Sequence, residues 1–243
     1  MNALLMTALI LFAVAPAVAL TSPALQVSTA TIRSGDTTIV MTDTLYADGR
    51  LDRRYQQGAT LLYLSNVRST TGGFSTEVVT GHPAQLGSFT IEQGTLEVKD
   101  PRGTILWTEK LTLPMCLPEL SAEFVRAHWD VLSVGAAPVK CVVPIIKAKK
   151  VAPVQWVRLP DTEAGLRVVE LQPGSFGMRF FLSPTRLSFS ADGTRLLAQS
   201  GQFETTKDPK SSPSYLKGDA VMDTPRQAAL WPKERFGTLP GSP

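Results

Sequence analysis

The residues of this chain whose types could do chemistry are few: two histidines, two cysteines and a short lysine run. A Ser-His-Asp arrangement would need one of the histidines. His82 lies in Thr80-Gly81-His82-Pro83, a turn, where an exposed imidazole is the ordinary expectation. His128 falls on an apolar face beside Trp129, where a packed, hydrogen-bonded histidine outweighs a general base. Ser175 stands in Pro173-Gly174-Ser175-Phe176-Gly177, which lacks the spacing of a nucleophile elbow. His-Glu-x-x-His, P-loop and dinucleotide fingerprints are missing. A pair of distant carboxylates, as glycosidases use, leaves no local spacing to read, so a hydrolase with scattered Asp and Glu stays open but without support. The sequence assigns no catalytic residue, no cofactor and no metal, and the expectation is a protein that is not an enzyme. Cys116, Cys141, His82 and His128 have no zinc-ligand spacing.

The cysteines carry another chemistry. In an oxidising compartment an isolated pair, Cys116 and Cys141, is most simply one disulfide. Two buried free thiols are the alternative, since cysteine is often a small core residue. Lys147, Lys149 and Lys150 form a basic knot between Ile146 and Val151. Solvated turn lysines guarding a sheet edge explain it; a contact for phosphate headgroups or an acidic partner is the functional reading. Trp107, Phe124, His128, Trp129, Leu132 and Trp156, with Phe180 and Phe181, distribute large side chains along strands and helix. Core packing accounts for them, and a cleft between sheet and helix that takes a lipid or other apolar ligand is the competing reading.

The elements that must position these residues are mostly strands. Ile105, Trp107, Glu109, Leu111 and Leu113 alternate with Leu106, Thr108, Lys110 and Thr112. Phe89 and Ile91 are separated from Leu96 and Val98 by Gln93-Gly94. Asp48-Gly49 and Asp192-Gly193 have the chemistry of two-residue hairpin turns, and Asp100-Pro101-Arg102-Gly103 that of a Pro-set turn. Val139, Cys141 and Val143 share a strand face that Pro144 is expected to interrupt. One amphipathic helix is predicted at about 119–134: Ser121 as its cap, Glu119 and Glu123 near its positive end, Phe124, Val125, His128, Trp129 and Leu132 at helical spacing, and Gly135 as its stop. The fold class is mainly β, a curved antiparallel sheet forming a half-barrel or open barrel over that helix. A Cys116–Cys141 bridge would tie the helix entrance to the strand after its exit.

Residues 1–19 carry no charged side chain, run apolar from Ala3 to Val14, and end in Ala17-Val18-Ala19, the small-x-small pattern of a cleavable signal. The run is short for a membrane anchor. The expectation is export, to the periplasm or beyond, with residues 20–224 as one β-rich domain, no transmembrane segment in the mature chain, and 225–243 as a flexible Pro-rich tail. Among 243 residues, 43% are hydrophobic and 19% charged, enough for a core and against disorder. The net charge of +3 is too small to argue for nucleic acid.

Phe124-Val125-Arg126-Ala127-His128-Trp129-Asp130-Val131-Leu132 followed by Gly135, and Arg195-Leu196-Leu197-Ala198-Gln199-Ser200-Gly201 after an Asp-Gly turn, resemble stretches of a group of uncharacterised exported bacterial β-rich proteins. The signal, the long meander and the inserted helix resemble the half-barrel lipid carriers of the Gram-negative periplasm, the LolA and LppX type. That resemblance implies an architecture and a lipid or apolar ligand class, and no catalytic residues. Two functions follow as expectations: binding of a lipid or apolar envelope component, or a structural or adaptor role on another envelope protein.

Overall fold

Turn chemistry lays out the sheet. Gln93 and Gly94 both take positive φ, 47° and 72°, and join Gly87–Glu92 to Thr95–Lys99 in a tight hairpin whose twist matches its strands. At Asp100–Gly103 the Asp100 carboxylate accepts the backbone N–H groups of Arg102 and Thr104, and Gly103 takes φ 82°. The Asp48-Gly49 and Asp192-Gly193 hairpins also form, with longer loops than two residues. Asp48 accepts the Arg50 N–H. Hydrogen bonds from Ser190 and Thr194 hold the Asp192 carboxyl down to about 2.

The computed structural model describes residues 22–174, 183–206, 215–229 and 231–237. Residues 1–19, expected as a signal, and Ser175, Phe180 and Phe181 lie outside them. Fourteen strands form one antiparallel sheet: β1 Ala24–Ser34, β2 Thr37–Tyr46, β3 Leu51–Gln57, β4 Thr60–Thr70, β5 Gly73–Thr80, β6 Gly87–Glu92, β7 Thr95–Lys99, β8 Ile105–Lys110, β9 Val139–Ile145, β10 Lys150–Arg158, β11 Arg167–Pro173, β12 Thr185–Phe189, β13 Arg195–Thr206 and β14 Tyr215–Gln227. The spatial order runs β8 to β1, then β14 down to β9. First and last strands therefore pair in the middle, Ala30 opposite Met222. Among the described residues the edges are β8 and β9, consecutive in sequence, and the sheet does not close. Between them Met115 makes one parallel bridge to Val142.

The expected strand from Ile105 stops at Lys110, because Leu111 turns in to donate its N–H to Gly94 and becomes buried. Pro144 does not interrupt β9. It pairs opposite Val151 in an edge strand, where a missing N–H is tolerated.

The predicted single helix is broken. A 3-10 turn at Pro118–Leu120 leads into α1 (Ser121–Ala127), His128 leaves helical geometry at φ −110° and ψ 22°, and α2 (Trp129–Leu132) follows. Ser121 is not a cap: Leu120 holds that position, and the Ser121 hydroxyl bonds back to the Leu117 carbonyl. Gly135 does end the segment, at φ 64°. The Cys116–Cys141 disulfide is formed, with Cα atoms 5.9 Å apart.

The segment from Pro225, expected as a flexible tail, is packed against the core at 225–229 and 231–237, and the rest of that expected tail lies outside the described residues. Strand β14 continues to Gln227, Ala228, Trp231 and Phe236 are buried, and Lys233–Phe236 makes a 3-10 turn. Its prolines suggested a tail, but the apolar anchors between them decide the outcome. The Phe236 ring sits 5.1 Å from that of Phe124 and 6.3 Å from that of Phe74, and its carbonyl accepts the Met115 N–H.

Candidate functional site

The inward face of β3 reads Leu51, Arg53, Tyr55, so strict alternation drives a guanidinium into the core. Arg53 is 1% exposed. Nε and Nη2 donate to the two oxygens of Asp43 on β2, each at 2.8 Å. Nη1 donates to Glu204 Oε1 on β13 at 2.6 Å and to the Pro118 carbonyl at 3.2 Å. Strands β3 and β13 stand four positions apart in the ladder, about 19 Å in a flat sheet. Their direct contact means that the sheet is not flat between them.

A second arginine completes the cluster. Arg226 on β14 lies 3.1 Å from Asp43 Oδ2 and donates to both oxygens of Glu123, 2.7 Å each. Glu123 sits on α1, one turn after Glu119, so the helix faces two carboxyls inward rather than offering them to its dipole. Tyr63 donates to Glu119 at 2.7 Å, and Tyr55 donates to Glu204. Gln85 reaches in from the His82 turn to donate to the Glu204 carbonyl at 2.6 Å.

Two guanidiniums thus meet three carboxyl groups out of water, and Tyr63 holds a fourth, that of Glu119, beside them. For Asp43, burial alone would raise the pKa, but Arg53 and Arg226 outweigh it and hold it below the usual range. Glu119 has no such partner; burial, and then the nearby Glu204, raise it. Burial, reinforced by the same carboxylates, pushes the Tyr55 and Tyr63 phenols well up. Beside Asp43, Glu123 and Arg226 a cavity of about 10 Å³ opens toward Ser28 and Gln26, room for about one water. The carboxyls are brought together, yet their oxygens are spent on arginines and tyrosines. Chemically the cluster is a staple between helix and sheet.

The sequence-selected residues fall elsewhere. Phe124, Leu132 and Trp156 have no exposed surface, while Trp107 and Trp129 pack partly buried against the core. His128 stacks on Phe124 at 4.4 Å, its Nδ1 lies 2.9 Å from the Phe124 carbonyl, and burial lowers its pKa. Trp129 lies over Phe189 at 5.8 Å and against Gly193, where an added Cβ would come within 2.2 Å of the indole. The indole N–H groups of Trp107 and Trp156 are buried without a partner. His82 sits in its expected turn, accepting the Ala84 N–H at 3.1 Å. Lys149, at φ 47°, and Lys150 are exposed at the β9–β10 turn. Among the described residues, no cluster of His, Cys, Asp and Glu is arranged to hold a metal.

The geometry defines a class: an antiparallel β protein, disulfide-bonded, with a buried ionic cluster fixing one short helical segment to its sheet. No helix among the described residues is long and apolar enough to cross a membrane. Comparison with protein families, curated proteins and solved structures finds no match for the chain.

Proposed function

We propose that this chain is an exported, non-enzymatic protein that works through its surface, as an adaptor or structural partner of another envelope protein. The observation that carries this reading is the filling of the space beneath the helix. An apolar-ligand carrier needs room there, and Phe124, Leu132, Trp156 and Phe236 occupy it, all without exposed surface. The disulfide is compatible with an oxidising compartment. The four carboxyl groups of the buried cluster are engaged by Arg53, Arg226, Tyr55 and Tyr63.

Surface features support the same reading. Val27, Val40 and Val221 are 49%, 40% and 68% exposed, and Val40 and Val221 flank Thr31 in one cross-strand row. Native mass spectrometry of protein purified from its own envelope tests the proposal. A complex with a second protein at fixed stoichiometry, without bound lipid, is the expected result. Stoichiometric co-purifying lipid, or a bare monomer at every concentration, would overturn it.

A further inference from the structure

The two edges of the sheet are finished differently. Along β9, Val142 exchanges backbone hydrogen bonds with Pro114 and Cys116, and Pro144 removes a donor, two ordinary ways of blunting an edge. Strand β8 pairs with β7 alone among the described residues. Its N-terminal half has neither a proline nor a lysine, and Ile105 and Leu106 are 53% and 37% exposed. Consecutive strand residues point to opposite faces, so both faces of this edge present apolar surface to solvent. An open, apolar edge is a template for another strand.

Charge selects the occupant. Exposed Arg102 precedes β8, and exposed Lys110 ends it. The Val151 N–H donates to Glu109 at 3.2 Å, which brings the β9–β10 turn, with exposed Lys149 and Lys150, to the same end. The neighbouring acids are engaged: Asp100 in its turn, Glu97 with Lys99 at 2.6 Å, and Glu109 with Val151. Arg102 is offset by Asp100, so the cation excess gathers at the other end of the edge, where Lys110, Lys149 and Lys150 outnumber Glu109. A second copy paired in parallel would set cations against cations, whereas an acidic segment meets complementary charge at the Lys110 end.

We propose that the free edge of β8 takes up, by strand addition, an extended acidic segment of a partner protein. This rests on the adaptor reading and names its docking surface. Main-chain hydrogen bonds supply the affinity, side chains beside Ile105 and Leu106 the apolar contact, and the flanking cations the selectivity.

The probe is a fluorescent peptide alternating Val and Thr and flanked at both ends by Glu pairs, with a Lys-flanked counterpart. Saturable anisotropy with the Glu peptide is expected, with amide exchange slowed at 105–110. Reversing charge in K110E/K149E/K150E should weaken binding roughly tenfold, three rim pairs of a few tenths of a kcal/mol each. Leu106→Lys, on an exposed side chain, should abolish binding while leaving the melting temperature unchanged. Equal binding of both peptides, or protection away from β8, would overturn the proposal, as would concentration-dependent dimers abolished by Leu106→Lys. Photo-crosslinkers placed in cells at Ile105 and at Val221 separate the two claims. Capture from Val221 alone refutes the β8 surface only; capture from neither refutes the adaptor function with it.

Discussion

Replacing Arg53 with Met keeps the volume and apolar stem of the side chain and deletes its charge. Four hydrogen bonds disappear: two to Asp43, one to Glu204 and one to the Pro118 carbonyl. Summing about 1.5–3 kcal/mol per charged bond would equal the whole stability of a typical domain, about 5–15 kcal/mol. That sum overcounts, because neither carboxylate is orphaned. Asp43 retains Arg226 at 3.1 Å, and Glu204 retains the Tyr55 hydroxyl. The expected loss is that of one broken buried pair, about 3–5 kcal/mol. Urea unfolding at neutral pH, followed by tryptophan fluorescence with the disulfide intact, reads this as a lower midpoint at unchanged slope. Adding Glu204→Gln to Arg53→Met should then cost far less than it does alone, since the arginine that pairs with Glu204 is already gone; a coupling of about 1–3 kcal/mol is expected. A loss under about 1 kcal/mol for Arg53→Met, or strict additivity in the double variant, would refute the staple.

Other outcomes follow from neighbouring features. Glu119→Gln keeps an acceptor for Tyr63. Because the raised Glu119 pKa makes its stabilising contribution fade as pH rises above about 4.5, the variant should flatten the decline in stability on the alkaline side; a steeper decline would count against the assignment. Acid acts in the opposite sense through His128 and Asp43, both held below their ordinary values. Stability should fall from about pH 6.5 downward as unfolded chains take up His128's proton, and fall again below about pH 4 through Asp43, seen as melting temperatures across the titration. Ser at both Cys116 and Cys141 should cost roughly 3–4 kcal/mol, from a bridge spanning 25 residues. Phe236→Ala should cost about 3–5 kcal/mol, where a free tail would show no effect. Gly193→Ala combines positive φ with a clash against Trp129 and should cost about 1–3 kcal/mol, measured by the same unfolding curves.

What was legible in the sequence was local. Gln93-Gly94, Asp100–Gly103 and Asp192-Gly193 announce their turns because the side chains that shape them lie within four residues. The disulfide was legible as a pairing of two residues. The ionic cluster was not, since Arg53 meets Glu204 across 151 residues and Arg226 meets Glu123 across 103. A faint signal existed in Leu51-x-Arg53-x-Tyr55, where an arginine occupies an inward position between apolar groups. Glu119 and Glu123 looked like dipole partners because their sequence neighbours give no hint of a distant guanidinium. The break at His128 was equally hidden: helical spacing continues through it, while the ring stacks back on Phe124 and the chain turns to lay Trp129 on Gly193. Pro225 and Pro232 pointed to a tail, and only tertiary contact with Phe74 and Phe124 reveals Trp231 and Phe236 as core.

The meeting of β1 and β14 at the centre of the sheet has a kinetic consequence. Thr31 and Asp223 touch across 192 residues, so the ladder cannot be completed until nearly the whole chain is present. Hairpins β1–β8 can assemble locally as synthesis proceeds, but β1 must wait with the backbone groups on its outer edge bare until β14 emerges. Loop-closure entropy makes that final docking slow, and exposed Val27 leaves the waiting edge sticky. The chain's most exposed moment is thus the interval before its last strand arrives, when a holdase bound to β1 would decide between folding and aggregation.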